Sequence, residues 1–159
     1  MNARYEDDDD RNGVVHRHTS VHLGVATQTA KGLMVPVVTH AEGRDLWDSA
    51  DEVTRLSTAA RDNKITLAEL SGSTITITSL GALGGIVSTP IINYPEVAII
   101  GVNKILTRPV YVDGIIQPRQ IMNLSSSFDH RVVDGADAAA FIQRIRALLE
   151  TPALLFINA

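Results

Sequence analysis

Ser125-Ser126-Ser127-Phe128-Asp129-His130-Arg131-Val132-Val133-Asp134-Gly135 joins a strand-like run to a helix-like one. Strand ends leading into loops are where reactive groups are commonly mounted. His130 lies between Asp129 and Arg131, with Asp134 four residues on and Gly135 permitting a sharp turn. An imidazole titrates near about pH 6.5, so at neutral pH it is mostly uncharged and can accept a proton. A carboxylate or carbonyl on the other ring nitrogen would fix the tautomer that such a base needs. The chain has no cysteine and no G-x-S-x-G elbow. A base here would therefore act directly on a substrate thiol, alcohol or water. On these residues alone, a structural histidine in a salt-bridged turn and a catalytic one are equally open.

Other clusters are weaker. Gly81-Ala82-Leu83-Gly84-Gly85 fits neither G-x-G-x-x-G nor G-x-x-x-x-G-K-[ST], and Pro90 and Pro95 follow where a phosphate-capping helix should begin. It reads as a tight turn first and as a close approach to a ligand second. His16 and His18 suit an ordinary strand face, and His22 and His40 have no motif around them. No second histidine or carboxylate stands at a convincing metal spacing, so no metal is expected. Glu6 and Asp7–Asp10 form an acidic run that reads as a solvated turn, because like charges repel and stay exposed.

The elements that must position these groups follow from periodicity. Val14–His18, Val21–Thr27 and Leu33–Val38 read as strands, with a turn at Lys31-Gly32. Leu46, Trp47, Ala50, Val53, Leu56 and Ala60 fall at helical spacing within 43–63, with Trp47 expected as a core anchor. Thr66 and Glu69 form a capping-box pattern for a short helix. Ser73–Ser79 alternates as a strand, and Val97–Lys104 is the apolar run of a strand buried on both faces. Asp113-Gly114 marks a hairpin between 108–112 and 115–118. Ile121–Ser127 completes the strands. Ala136–Leu149 is a helix with Ala139, Ile142, Ile145, Ala147, Leu148 and Leu149 available for one face, Pro152 marks its end, and an apolar tail follows. The order predicts an α/β (α+β two-layer) fold, a mixed β-sheet covered by helices.

Composition narrows the classes. In 159 residues, 45% are apolar and 20% charged, which fits one globular domain and excludes a disordered chain. The net charge of −4, with no basic cluster interleaved with aromatics, argues against nucleic acid. No apolar run approaches the roughly 20 residues that cross a bilayer. The polar, acidic first residues are unlike a signal or transit peptide. A cytoplasmic location is expected.

Asp129-His130-Arg131-Val132-Val133-Asp134-Gly135 resembles the D-H-R-x-x-D-G signature of the dihydrolipoamide acyltransferase (E2) family of 2-oxo acid dehydrogenase complexes. Gly32-Leu33-Met34-Val35-Pro36, Thr76–Gly81, Thr89–Asn93 and Pro95–Val102 extend the likeness in order and spacing, and branched-chain members are the most similar. The resemblance implies a fold like that of chloramphenicol acetyltransferase, built as a homotrimer with sites between subunits and assembled into a larger core. It implies acyl transfer, in this case of a branched-chain group, between dihydrolipoamide and coenzyme A, with E1 and E3 components as partners. His130 takes the position of the general base, Asp134 that of the motif acid and Thr78 that of the oxyanion donor. Arg131 is expected in a structural ion pair. Ser79, Gly101 and Asn103 fall in segments resembling coenzyme A contacts, and Gln28 stands where some relatives carry an acid.

Family catalytic domains are longer before the point where Met1 stands, so 1–159 reads as a partial, N-terminally truncated catalytic domain. No lipoyl domain and no peripheral subunit-binding domain are recognised, which leaves the lipoyl group to be supplied by another polypeptide. The resemblance also allows a mitochondrial matrix location for a eukaryotic source. Two alternatives to an active acyltransferase stand: a catalytically incomplete assembly module, and a histidine-based thioesterase using water.

Overall fold

The computed structural model describes residues 1–7 and 13–157. Its main sheet grows from three parallel strands, β3 (Leu23–Thr29), β6 (Ile75–Thr78) and β7 (Ala98–Val102), numbered by chain order. β10 (Leu124–Phe128) runs antiparallel along the far edge of β7. On the other side β3 pairs antiparallel with β4 (Gly32–Met34) and β5 (Val37–Val38). Pro36, which lacks an N–H, interrupts these two, although its carbonyl still accepts from the amide of Val25 at 2.8 Å. The sheet is mixed, as its pattern predicted. β7 and the residue before it form its apolar centre: Val97 and Ala98 are inaccessible to solvent, and Ile99 and Ile100 nearly so.

α1 (Leu46–Arg61) starts where the Asp45 carboxylate accepts from the amide of Asp48 at 2.7 Å. Leu56, Ser57 and Ala60 are its buried residues, and the helix packs on β3 and β5. Burying a side chain such as Leu56 contributes roughly 1.5–3 kcal/mol. Trp47 overturns its expectation, being 73% exposed. The helix reaches the sheet with its last two turns, and Trp47 sits in the first. The Thr66–Glu69 capping box forms reciprocally, with Thr66 N donating to Glu69 Oε2 at 2.9 Å and Glu69 N to Thr66 Oγ1 at 3.3 Å. It caps a single 3-10 turn rather than an α-helix.

The hairpin of β8 (Leu106–Val112) and β9 (Ile115–Ile121) turns on Asp113 and Gly114, both at positive φ (50° and 86°). That is the geometry for which this dipeptide is selected. β9 runs through Ile121, so the strand expected over 121–127 is shorter and begins at Leu124. α2 (Gly135–Glu150) follows β10, and the apolar tail forms a one-turn helix, α3 (Ala153–Ile157). On α2 the half-buried residues are Ala138, Phe141, Ile142, Ile145 and Leu148, while Ala139, Ala147 and Leu149 are exposed.

One strand was not foreseen. β1 (Ala3–Glu6) pairs antiparallel with β2 (Val14–Arg17), and Arg4 bridges to Glu96 on its other edge. Glu6 thus ends a strand, and Asp8–Asp10 of the acidic run lie outside the described residues. Ala3, Val97 and Val133 form a small core under the His130 loop, with Phe128, Val132 and Ala138 packed against it.

Candidate active site

His130 occupies a turn fastened on both sides. The amide of Asp129 donates to the carbonyl of Val97 at 2.9 Å, and the amides of Val132 and Val133 donate back to the carbonyl of Asp129 at 3.0 and 2.9 Å. Val133, 4% exposed, anchors the turn in the core. Arg131 folds onto Asp129, with Nη2 to Oδ2 at 2.7 Å and Nε to Oδ1 at 3.0 Å, and its guanidinium lies 4.1 Å over the Tyr5 ring. The charges flanking the imidazole therefore satisfy each other. The guanidinium beside Asp129 holds its carboxyl below the usual carboxylate range, and the carboxylate raises Arg131 in turn. His130 itself is exposed and makes no hydrogen bond or ion pair among the described residues.

Asp134 accepts from the amides of Ala136 and Asp137, both at 3.1 Å, and so caps α2. It makes no hydrogen bond to His130 among the described residues, so its hold on the loop runs through the helix end.

Thr78 ends β6, paired with Ala26 on one side and Gly101 on the other. Its hydroxyl makes no hydrogen bond among the described residues and is open to a ligand. Gln28, Ser79 and Asn103 lie one or two residues beyond this row, at the carboxyl ends of the three parallel strands, where open sheets bind ligands. Gln28 is exposed and donates to the carbonyl of Thr29. The Ser79 hydroxyl accepts from the amide of Gly81 at 3.2 Å. Asn103, 7% exposed, spends its amide on the carbonyl of Asn123 (3.0 Å) and on Ser125 Oγ (2.8 Å). A Cβ at Gly101 would stand 2.8 Å from Ser88 Oγ and 3.1 Å from the Ser125 carbonyl, so a side chain there would displace Ser88 and press on the Ser125 backbone. A groove of about 910 Å³ between β9–β10 and α2 abuts Asn123 and Ser125, but neither His130 nor Thr78 lines it.

The register separates the two principal candidates. Phe128, two residues before His130, pairs with Ala98 at the start of β7, whereas Thr78 pairs with Gly101 three residues further along. At about 3.3 Å per residue and 4.8 Å per strand, Phe128 and Thr78 lie roughly 10 Å apart along the sheet and about 10 Å across it, and His130 follows two residues beyond Phe128, on the side away from Thr78. The structure gathers Thr78, Ser79, Gln28, Gly101 and Asn103 at one end and His130 and Asp134 at the other. Among the described residues no group of three or more histidine and acidic side chains is placed to hold a metal ion.

Residues 1–157 match the family described as 2-oxoacid dehydrogenases acyltransferase (catalytic domain). The chain belongs to that family. It is 64% identical over 158 residues to the lipoamide acyltransferase component of the branched-chain alpha-keto acid dehydrogenase complex of Pseudomonas aeruginosa, covering 99% of this chain and 36% of that one. Its fold is similar to the dihydrolipoamide acetyltransferase of Azotobacter vinelandii (TM-score 0.88, 39% identity, 98% of this chain and 63% of that chain). It is equally similar to the cubic core of the pyruvate dehydrogenase multienzyme complex (TM-score 0.88, 38% identity, 98% and 63%). The chain thus spans about a third of its curated relative and less than two thirds of each solved chain. The mixed sheet with helices expected from the sequence is the fold of these catalytic cores. Work on the Azotobacter protein concerns the role in its catalytic mechanism of a serine, a histidine 52 positions later and an asparagine four further on.

Proposed function

We propose that this chain moves an acyl group, of the branched-chain class, between dihydrolipoamide and coenzyme A. The neutral imidazole of His130 takes the proton of the incoming thiol, and the sulfur attacks the carbonyl carbon of the acyl thioester. The tetrahedral oxyanion accepts a hydrogen bond from the Thr78 hydroxyl. Its collapse expels the second sulfur, which recovers the proton from the imidazolium. A thiol of pKa about 8.5 is mostly protonated at neutral pH, which gives the base its purpose. Thr78, His130 and Asp134 keep the separations of the three Azotobacter residues, 52 and four, and this observation carries the reading. Threonine for serine keeps the hydroxyl, and aspartate for asparagine keeps an equally good helix cap.

Because Thr78 and His130 lie at opposite ends of one sheet, the reading requires them to meet across copies, which supports a trimer with shared sites within a larger core. The Thr78 end, with Gln28, Ser79, Gly101 and Asn103, would receive coenzyme A, and the acyl group would arrive on a lipoyl arm borne by another polypeptide. E1 and E3 components follow as partners. The bacterial source of the Pseudomonas relative favours the bacterial cytoplasm.

The test is coenzyme A-dependent acyl transfer by the wild-type chain and by H130A, with circular dichroism as folding control. Loss of transfer in folded H130A is expected; unchanged transfer sinks the assignment. A second reading, an assembly module without catalysis, is favoured by Leu83, Ile91 and Tyr94, each at least 90% exposed beside the sheet. Saturable coenzyme A binding by calorimetry would dismiss it.

A further inference from the structure

Glu96 is 5% exposed, the one ionisable side chain so deeply buried among the described residues. A carboxylate removed from water is costly unless donors surround it. Here Oε1 collects three: the Ser73 hydroxyl at 2.5 Å, the Thr76 hydroxyl at 2.8 Å and the Asn93 amide at 3.0 Å. Among the described residues Oε2 has no hydrogen-bond partner, nor does Nε of Arg4. Arg4 pairs with Glu96 across an antiparallel backbone bridge, while its guanidinium reaches Glu6 through Nη2 at 2.9 Å. One carboxylate thus draws together the start of β6 and the segment ahead of β7, and the backbone of the same residue holds the edge of β1. None of these residues belongs to the acid, base or oxyanion donor assigned above.

The link to chemistry runs through the next residue. Val97 is inaccessible to solvent, and its carbonyl receives the amide of Asp129, the residue preceding His130. Val97 also packs with Ala3 and Val133, the apolar anchor on the far side of the histidine turn. A shift of the 96–97 backbone is therefore passed directly to the turn. We propose that Glu96 is a positioning residue for His130: its buried carboxylate clamps the strand edge on which the histidine loop hangs. The proposal rests on His130 acting as the base. It makes a directional statement, because Glu96 lies at the His130 end of the sheet and the coenzyme A candidates lie at the other.

The consequence is a split between rate and binding. A misplaced base lowers kcat, while the Thr78 end keeps its geometry and the KM for coenzyme A holds. Small displacements of a catalytic group cost up to about 100-fold, and a loosened anchor should cost about 10-fold. The experiment compares wild type, E96A, E96Q and H130A in coenzyme A-dependent transfer. In parallel, carbethoxylation of each histidine by diethyl pyrocarbonate is followed by peptide mass, a readout that does not need turnover. E96A should lower kcat about 10-fold, leave the KM for coenzyme A within about 2-fold, and alter the modification rate of His130 but not of His40. E96Q retains an acceptor oxygen for the three donors and should restore both readouts. If E96A does not fold, T76V, which removes a single donor, should shift the same two readouts in the same direction. Folded E96A with wild-type kcat and unchanged His130 reactivity overturns the proposal, as does E96Q no better than E96A. Wild-type activity in H130A would instead overturn the assignment of the base, while the His130 modification rates still decide whether Glu96 positions the loop.

Discussion

The two ends of the sheet hold their candidate groups by different means. Thr78 is presented by a central strand, and the ladders to Ala26 and Gly101 fix its backbone. Its hydroxyl needs no supporting side chain and has none among the described residues. His130 sits on a turn outside any ladder, so side chains and single backbone bonds must hold it: Val97 and Val133 beneath, the Asp129–Arg131–Tyr5 stack beside it, and the Asp134 cap after it. A group on a central strand inherits order from the sheet. One on a loop must have its order built, which makes its neighbours the sensitive positions. Substitutions around Thr78 should therefore act only at Thr78 itself, whereas substitutions around His130 should act at a distance.

The largest effect tests the histidine end. General acid–base catalysis contributes about 10²–10⁴-fold, and H130A should lose acyl transfer by that factor with its circular dichroism unchanged. At the other end, T78A should lower kcat by about 10²–10³-fold, the worth of one oxyanion donor, and T78S should recover most of it. The comparison breaks if T78A also lowers the melting temperature substantially, because the strand would then depend on that side chain. Mixing H130A with T78A chains sharpens it. If the site closes between copies, mixed oligomers regain transfer that neither parent has.

Much of this architecture was legible in the sequence, for identifiable reasons. The apolar run over 97–104 signals a doubly buried strand, which forms over Ala98–Val102, and Asp113-Gly114 signals the hairpin turn that forms there, because both signals are local. The Thr66–Glu69 box and a short helix ending at Leu70 are legible, and only its 3-10 type is not, because a capping pattern marks a start and not the hydrogen-bond spacing that follows. Trp47 was misjudged because helical spacing identifies a face but not how far along the helix the sheet extends. The separation of His130 from Thr78 was invisible: it depends on β10 running against β7 while β6 runs with it, and strand direction leaves no trace in periodicity. Glu96 was missed for the same kind of reason. Two of its three donors lie 20 and 23 residues upstream and its bridge partner at position 4. A lone acid ahead of an apolar run, in a stretch otherwise suited to burial, was the one available signal.

A smaller effect separates the two roles open to Asp134. As a helix cap its removal should cost about 1 kcal/mol, read as a lower denaturation midpoint for D134A. D134N keeps the cap and should match wild type in stability. Transfer by D134N close to wild type, with D134A reduced in step with its stability, would show that the carboxylate acts by holding α2 and the turn. A loss in D134N alone would assign its charge a part in the chemistry.

The smallest effect is the most selective, because only one of the two sets of candidate residues includes carboxylates. None of Thr78, Ser79, Gln28, Gly101 and Asn103 titrates as an acid, so lowering the pH leaves that end alone. At the other end, Asp129 is held below its ordinary value of 3.8, first by the hydrogen bond from Arg131. A carboxyl depressed in the folded state contributes stability that is present above its unfolded value and lost as pH falls through its folded one. The contribution of Asp129 should therefore persist down to about pH 3.8 and fade below it. The capping box supplies a reference elsewhere in the molecule: Glu69, hydrogen-bonded first by the Thr66 amide, is lowered from 4.5 to about 2, so its contribution fades across that window. Hydrogen exchange followed from pH 6 to pH 2, corrected for intrinsic rates, should show the amide of Arg131, which donates to the Asp129 carboxylate at 3.0 Å, losing protection below pH 3.8. The amides of β6 and β7 should keep theirs over the same range. Equal loss at both ends would mean that the turn draws its order from the sheet after all, and the contrast between a strand-mounted and a loop-mounted group would fail.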